Sequence, residues 1–319
     1  MLKALKFVQG AIAKKDFIPA LTHFHIKDGR IKGYNGRIAL CSPIPLDLDV
    51  IPKATPLIKA IQTCRGTVQI NLTTSNRLSI RSGKFKVLID CIDDLTLYPE
   101  VEPDGIEVPL PGNFLDVLKT LYPFIAEDAS RPWARGILFR DFSAYATNNV
   151  VLVEYWVGAE FSTPVNIPKE AITEILRINE NPVKMLSGQG NVTFYFEGDK
   201  WLRTQTYDLN WPDVMPILDV KVALYKAIPH GLFDGLRDIL PFSDEFESVY
   251  LTDKGIATSK GEDAKASLEI DGLPDNGGFN IKHLLSLEGV ATEVDFSSYP
   301  KACPFLGDNI RGVIIGINI

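Results

Sequence analysis

Apolar side chains recur at intervals of three and four residues near the start of each third of the chain. This spacing places them on one face of an α-helix. The positions are Leu2, Leu5, Val8 and Ile12; Phe114, Leu115, Leu118 and Leu121; and Leu232, Phe233, Leu236, Ile239 and Leu240. A second stretch of this kind follows in each third, after Pro56, Pro168 and Asn280. The pattern therefore predicts two amphipathic helices in each third.

Between the predicted helices, apolar and polar residues alternate, which is typical of half-buried strands. Three such pairs of strands are predicted at residues 24–40, turning at Asp28-Gly29; at residues 137–153, turning near Asp141; and at residues 249–268, turning at Asp253-Lys254-Gly255. Further turns are predicted at Ser75-Asn76, Ser82-Gly83, Gly188-Gln189-Gly190 and Gly198-Asp199. Glycine, asparagine and aspartate tolerate the backbone conformations that tight turns require.

The tripeptide Ile-Pro-Lys occurs twice, at residues 51–53 and 167–169, and each copy precedes a predicted helix. Self-similarity at a fixed spacing indicates a structural unit that is used more than once. We therefore predict an α+β fold of three tandem domains, each with two helices on antiparallel sheets. The predicted domains are residues 1–107, 108–218 and 219–319, with joints near residues 98–109 and 215–220.

The composition, with 45% hydrophobic and 23% charged residues, is typical of a globular protein. No apolar run approaches the roughly 20 residues of a membrane-spanning helix, so no membrane segment is predicted. The N-terminus has no long apolar core of a secretory signal. Four scattered cysteines, Cys41, Cys64, Cys91 and Cys303, predict free thiols in a reducing, cytoplasmic setting.

Charge is distributed unevenly along the chain. The net charge is −7, made up of +4 in residues 1–107, −4 in residues 108–218 and −7 in residues 219–319. A basic first third and an acidic last third favour head-to-tail association of two copies, because complementary charge sets orientation and association rate. The alternative is that the gradient is an accident of surface composition.

No recognisable catalytic motif is present, and we predict a protein that is not an enzyme and needs no cofactor or metal. Asp93-Asp94 could bind a metal ion or act as acid and base, but the pair lies in a polar connector typical of a solvated turn. His23 and His25 would share one face of a strand without a third ligand nearby, so a partly buried or surface pair is favoured. His230 and His283 have no recognisable partner.

Five short segments, in order along the whole chain, are similar to those of one family. They are Cys64-Arg65-Gly66, Arg81-Ser82-Gly83, Tyr145-Ala146-Thr147-Asn148-Asn149, residues 165–169 and Trp211-Pro212-Asp213. In this combination the chain resembles the bacterial β sliding clamp, the ring-shaped processivity subunit of the replicative DNA polymerase. It is shorter than typical members, which suggests a trimmed, phage-encoded version.

The resemblance implies a head-to-tail homodimer of three-domain subunits that closes around double-stranded DNA. Helices would line the hole, and short peptide motifs of the DNA polymerase and of an ATP-driven clamp loader would dock on the ring. Closure at the dimer interface would involve Val87 and Ile89 of the first domain and Ile239 and Leu240 of the third. The alternative for these four side chains is ordinary core packing.

DNA contacts in such a ring would come from basic residues of the hole-lining helices and of one loop in the middle domain. The candidates are Lys3, Lys6, Lys14, Lys15, Lys59, Arg65, Arg131, Trp133, Arg135, Lys169 and Arg177, with Lys119, Lys226, Arg237 and Lys282 as further cations on these helices. For each lysine the alternative is a solvated helix face. Trp133 could stack on an exposed base or fill the core beside a strand.

A peptide-binding cleft between the middle and last domains is also implied. Its matching positions are Thr147, Asn149, Val150, Val151, Leu152, Pro212, Pro216, Ile217, Val313, Ile314, Ile315, Gly316 and Ile317. Val150-Val151 replaces the family's frequent His-Arg, and residues 316–319 replace its Pro-Met-Arg/Lys-Leu ending. The cleft should therefore be more apolar and less basic. The alternative is that the tail is simply a core strand.

Two other functions remain open at this point. One is a phage structural or adhesion protein built of repeated β-rich domains. The other is a hydrolase or nuclease with an unrecognised site at Asp93 and Asp94.

Overall fold

The structure is a computed structural model that describes residues 1–128, 130–207, 210–221, 223–261 and 264–317. Its helices are α1 Leu2–Val8, α2 Ala54–Thr63, α3 Phe114–Leu121, α4 Lys169–Ile178, α5 Met215–Leu218, α6 Leu232–Ile239 and α7 Ile281–Leu285. All six predicted helices are confirmed. Two end earlier than their apolar stripes, because short 3-10 turns follow at Gln9–Ala11 and at Leu240–Phe242.

The strands of the first half of the chain are β1 His25–Lys27, β2 Arg30–Tyr34, β3 Ile38–Pro43, β4 Ile51–Pro52, β5 Gln69–Leu72, β6 Arg77–Ser82, β7 Phe85–Ile92, β8 Ile106–Val108, β9 Gly136–Thr147 and β10 Val151–Pro168. Those of the second half are β11 Lys184–Gly188, β12 Asn191–Phe196, β13 Lys200–Gln205, β14 Lys226–Ala227, β15 Ser248–Thr252, β16 Gly255–Ala257, β17 Ser267–Glu269, β18 Gly278–Asn280, β19 Glu293–Val294, β20 Cys303–Gly307 and β21 Ile310–Ile314.

The chain divides into two compact units. The first comprises Met1–Leu115 and Glu170–Thr206, and the second comprises Asp116–Lys169 and Tyr207–Ile319. The three-domain division at residues 107/108 and 218/219 stays a prediction.

In the first unit, a seven-stranded antiparallel sheet has the order β1-β2-β3-β13-β12-β11-β8, and a four-stranded sheet has the order β4-β7-β6-β5. Helix α1 packs on β2, β3 and α2. It does so through Leu5, Phe7 and Val8, which are buried, while Lys3 and Lys6 on its other face are exposed. The amphipathic pattern of α1 thus fixes which side chains reach solvent.

In the second unit, a six-stranded sheet has the order β14-β19-β20-β21-β10-β9, and a four-stranded sheet has the order β17-β16-β15-β18. Helices α6 and α7 pack together, and α6 lies on β16 and β17. Short α5 lies beside β21. The predicted joint near residues 215–220 therefore contains a helical turn.

Both large sheets join strands that are far apart in sequence. In the first unit β3 pairs with β13, with Leu40 opposite Leu202. In the second unit β10 pairs with β21, with Leu152 opposite Val313. Each large sheet therefore draws on two successive thirds of the sequence.

Most predicted turns are confirmed. Asp28 and Gly29 have φ values of 49° and 67°, and Gly198 and Asp199 have values of 73° and 55°. The prediction of a turn near Asp141 is wrong, because β9 runs unbroken through this residue and the hairpin turns instead between Thr147 and Val151. Asp141 does have a turn-like φ of 53°, but it lies opposite Phe161 where the β9–β10 register shifts. A β-bulge and a turn favour the same residue type.

None of the helices in the described part of the chain is both long and apolar enough to cross a membrane.

Candidate nucleic-acid and peptide-binding sites

The candidate DNA contacts on α1 and α2 are exposed and carry uncompensated charge. Lys3, Lys6 and Lys59 are exposed on these helices. Within the described residues, no carboxylate lies within ion-pair distance of them. Lys14 and Lys15 are exposed and uncompensated in the described chain too, but their predicted helical position is wrong, because α1 ends at Val8 and they lie in the loop that follows.

Arg65, just after α2, is the last of these exposed candidate DNA contacts. Its side chain is exposed, whereas its backbone is fixed: the Ser82 hydroxyl accepts from the Arg65 N–H at 3.2 Å and donates to the Arg65 carbonyl at 2.7 Å. The first unit therefore presents six cations that are available to a polyanion.

The candidates on α4 are engaged differently. The Arg177 guanidinium pairs with the buried Glu174 carboxylate and donates a 2.8 Å hydrogen bond to the Phe7 carbonyl. Lys169 pairs with Glu127 and lies 5.1 Å from the centre of the Tyr122 ring. These two charges are largely compensated within the protein, so they are weaker candidates for phosphate contacts.

The further helix cations are also mostly paired. Lys119 lies 3.6 Å from Asp116, Arg237 pairs with Asp234 and Glu288, and Lys282 pairs with Glu247. The predicted helical position of Lys226 is wrong, because this exposed residue lies on strand β14.

The loop at residues 131–135 forms a 3-10 turn over Pro132–Arg135. The Trp133 ring packs edge-on against Trp211, with 5.0 Å between ring centroids, and is only partly exposed. Its backbone carbonyl accepts from Asn166 at 2.9 Å. Trp133 therefore fills the edge of a core cluster, as its alternative interpretation stated. Arg135 is partly buried.

Arg131 links this loop to the hairpin turn between β9 and β10. Its guanidinium donates to the Asn149 side-chain oxygen at 2.7 Å. The turn itself is held by Asn148, whose side-chain oxygen accepts from the Val150 and Val151 N–H groups at 3.1 and 2.8 Å. Asn149 adopts the left-handed conformation, with φ 74°. The Asn148-Asn149 pair is thus a self-stabilised turn.

Five of the candidate cleft residues are buried. Val151, Leu152, Val313 and Ile314 are buried where β10 and β21 pair. Thr147 is buried too, and its hydroxyl donates to the Val151 carbonyl at 2.8 Å. These side chains support the cleft and do not offer a free surface.

Four other candidates supply accessible apolar surface. Ile217 on α5 and Ile315 after β21 are 49% and 46% exposed, and Pro212 and Pro216 are exposed as well. The Ile315 N–H donates to the carbonyl of Val150 at 2.9 Å, and Val150 itself is partly buried. Because α5 lies beside β21, these four exposed residues, called the apolar strip below, belong to adjoining segments of the second unit.

Gly316 and Ile317 continue the chain from this strip. The Ile317 N–H donates to the Gly278 carbonyl at 2.8 Å, and its carbonyl accepts from the Tyr299 hydroxyl at 2.7 Å. Residues 318 and 319, which belong to the predicted ending, lie outside the described residues.

A charged network between β10, β21 and the end of α5 was not predicted. Arg311 on β21 pairs with Glu154 on β10 and donates to Asp219, just after α5, at 2.9 Å. The Tyr145 hydroxyl donates to Glu154 at 3.0 Å, and burial followed by the Glu154 charge raises the pKa of Tyr145. Arg311 and Glu154 are 157 positions apart, so no local sequence signal could have joined them.

The four candidate interface residues fall into two pairs. Ile89 and Ile239 are buried in their own units, with 2% and 3% exposure, so core packing describes them. Val87 and Leu240 are partly exposed. On the side of β7 away from β6, only Ile92 and Cys91 have a partner strand in the described chain, which leaves most of this edge open.

The candidate catalytic groups Asp93, Asp94 and His23 are each hydrogen-bonded to nearby residues and do not form a shared site. Asp93 accepts from the Asn76 amide, and Asp94 caps a 3-10 turn, where its hydrogen bonds with Thr96 lower the pKa of its carboxyl group. The His23 Nδ1 lies 2.7 Å from the Pro19 carbonyl. Across the described residues, no three His, Cys, Asp or Glu side chains are grouped as metal ligands.

Comparisons with known proteins give a match in structure only. No protein-family model and no curated protein sequence matches the chain. Among solved structures, the DNA polymerase sliding clamp from Caulobacter crescentus is similar to this chain with a TM-score of 0.84 and 18% sequence identity. The β subunit from the DNA polymerase of Streptococcus pyogenes gives 0.83 and 17%, and the sliding clamp from Bacillus subtilis gives 0.82 and 17%. Each match covers 100% of this chain and 97% of the other. The chain therefore has the sliding-clamp fold from end to end.

Proposed function

We propose that this protein is a DNA sliding clamp, a homodimeric ring that encircles duplex DNA and tethers a polymerase for processive synthesis. The observation that carries the proposal is the match of the whole chain to the sliding-clamp fold. The same match offers no support for an adhesion protein of repeated β-rich domains. The protein would act in the cytoplasm and catalyse no reaction itself, and a separate ATP-driven loader would open it.

Topology explains how a chain of net charge −7 can hold DNA. A closed ring retains the duplex mechanically, so contacts need only keep the phosphates centred. Contacts with phosphates are independent of sequence and therefore compatible with sliding. The uncompensated cations Lys3, Lys6, Lys14, Lys15, Lys59 and Arg65 are the best placed to supply them.

Ring closure would use the open edge of β7. A strand edge with unpaired N–H and C=O groups readily pairs with another chain. The first third of the sequence carries +4 and the last third −7, so a head-to-tail contact between two copies joins opposite charges. Two identical contacts related by a two-fold rotation close the ring. Val87 and Leu240 have accessible surface for this contact, whereas Ile89 and Ile239 are buried in their own units.

Partner peptides would dock on the apolar strip of the second unit. Ile217, Ile315, Pro212 and Pro216 present fixed apolar surface that suits an extended peptide with apolar anchors. Val150 lies at its edge, where a basic pair is frequent in the family. The partners' motifs should therefore be more apolar and depend less on acidic residues.

The decisive experiment is retention on DNA. The protein is loaded on a nicked circular plasmid and separated from free protein by gel filtration, before and after linearisation. A clamp co-elutes with the circle and dissociates when the DNA is cut. Failure to stay on the circle, or equal retention on linear DNA, would count against encirclement. An adhesion protein gives neither result.

The peptide-docking part is tested with Ile217→Asp combined with Ile315→Asp. A charge on each half-exposed side chain should weaken binding of a polymerase-derived peptide at least about 10-fold, because an unpaired charge in an apolar contact is costly. Thermal stability and plasmid retention should persist. Val183→Asp, at a similarly exposed apolar residue of the first unit, is the matched control. Unchanged peptide affinity in the double variant would rule out this strip as the docking site.

A further inference from the structure

The loop after α1 projects an apolar tip into solvent. Phe17 is fully exposed, at 105% of the reference accessible area, and its neighbour Ile18 is 53% exposed. Every residue from position 14 to position 19 is exposed. Burying a phenylalanine side chain is worth roughly 1.5–3 kcal/mol, and this loop leaves that contribution unused within its own chain.

The tip is held in place by the base of the loop. The Ala13 N–H donates to the Leu21 carbonyl at 2.9 Å, and Leu21 is buried. Within the loop, the Ile18 N–H donates to the Asp16 carboxylate at 2.9 Å, and the Ile18 carbonyl accepts from Leu21 at 3.1 Å. These bonds hold the loop on either side of Phe17, whose exposed side chain does not pack on the core.

Charge identifies the kind of partner that this tip fits. Lys14 and Lys15 directly precede it, and within the described residues neither has a carboxylate at ion-pair distance. The one acidic residue of the loop, Asp16, uses a carboxylate oxygen for the Ile18 N–H. Two free cations next to an exposed aromatic ring match a partner that combines phosphates with flat apolar faces. Base–aromatic stacking beside a basic surface is the usual means of binding such a partner.

We propose that Phe17 stacks on the open face of a base at an interruption of the DNA, such as a nick or a primer end, while Lys14 and Lys15 contact the adjacent phosphates. This inference rests on the proposed function and assigns to it a preferred position on DNA.

An intact duplex is a poorer partner for the tip. Inserting a side chain between paired bases costs a few kcal/mol per unstacked step, and it would oppose sliding. At a nick or a primer end, one base face is already open or opens at lower cost. The ring would therefore slide over continuous duplex and pause where the duplex ends.

The test compares two DNA hairpins, one with a recessed primer end and one blunt, under identical salt conditions. A 2-aminopurine replaces the first unpaired template base beside the primer. Wild-type protein should bind the recessed hairpin about 5- to 100-fold more tightly than the blunt one, which is the range that stacking of one base provides. It should also change the 2-aminopurine fluorescence. Phe17→Ala should abolish both the preference and the fluorescence change, whereas Phe17→Trp should retain them.

Two controls separate stacking from charge. Lys14→Gln with Lys15→Gln should weaken binding to both hairpins equally and lower the slope of log K against log salt by about 1.4–1.8. Phe142→Ala removes another exposed phenylalanine, on β9, and should leave the preference intact. Equal preference in Phe17→Ala and wild type overturns the inference, as does a loss of polymerase binding without a loss of the preference. Failure of the wild-type protein to stay on nicked circles would instead overturn the proposed function.

Discussion

At Gly312, strand β21 approaches β10 so closely that no side chain fits between them. A Cβ atom there would lie 2.5 Å from the Leu152 carbonyl oxygen and 2.3 Å from the Phe305 ring. The carbonyl belongs to the backbone and cannot move without shifting β10. The pairing of β10 and β21 that supports the apolar strip therefore depends on this glycine.

Gly312→Ala should lower the free energy of unfolding by about 1–3 kcal/mol, because overpacking against a fixed backbone is costly. Urea denaturation followed by circular dichroism measures it. Gly112→Ala is the control: no atom lies within 4 Å of its added Cβ, and its change should stay below about 1 kcal/mol. Equal destabilisation of both variants would contradict a specific steric requirement for glycine at position 312.

Two histidines should make stability depend on pH. Burial lowers the pKa of His283 and of His23 below their ordinary value of 6.5. The unfolded chain therefore binds protons that the folded chain does not, and the stability that this provides is complete above about pH 6.5 and is lost as pH falls below it. His283→Gln should flatten the profile between pH 6.5 and 5. His230→Gln, at an exposed residue, should follow the wild-type profile; an unchanged profile in His283→Gln would contradict the assignment.

At the scale of elements, helices α1 and α4 use their cations in different ways. Lys3 and Lys6 on α1 are exposed and uncompensated within the described chain, whereas Arg177 on α4 is engaged with Glu174 and with the Phe7 carbonyl. We therefore expect Lys3 and Lys6 to contribute to DNA binding and Arg177 to contribute to the stability of the fold.

Arg177→Ala should destabilise the protein by about 1–3 kcal/mol, because it leaves the buried Glu174 carboxylate without its partner. It should barely alter the salt dependence of DNA binding. Lys3→Gln with Lys6→Gln should do the reverse, lowering the slope of log K against log salt by up to about 1.8 with no loss of stability. Thermal melts and salt titrations separate the two effects. Adding Glu174→Gln to Arg177→Ala should recover part of the lost stability.

The helices and most hairpins could be predicted because their signals are local. The apolar periodicity of α6 and the Asp-Gly turn at residues 28–29 each lie within a few residues. The prediction of a turn near Asp141 is wrong because residues with positive φ occur both in turns and in bulges. Only the pairing of β9 with β10 shows which of the two is present. The exposure of Ile217 and the burial of Val313 could not be predicted either, since they depend on α5 meeting β21. Local patterns thus give the elements, and distant pairing decides which side chains stay accessible.

At the scale of the whole molecule, the proposed ring depends on the open edge of β7 and on the side chains of the face that carries Val87. Successive residues of a strand point to opposite faces, so Val87 and Leu88 make a matched pair of test positions. Val87→Asp should convert the dimer to a monomer at micromolar concentration and abolish retention on nicked circles. Leu88→Asp should leave both unchanged. Light scattering at several concentrations measures the state, and circular dichroism checks folding. A wild-type protein that is monomeric throughout would exclude the ring.

The pairing of β3 with β13, and of β10 with β21, bears on what happens when the chain is cut. A fragment that ends after residue 107 would keep β3 but lose the strand beside it, leaving a row of unpaired backbone groups. Such a fragment should exchange strands with a second copy or aggregate, whereas co-expressed complementary pieces could reassemble. Splitting the gene between its repeats would therefore yield pieces that fold only in each other's company.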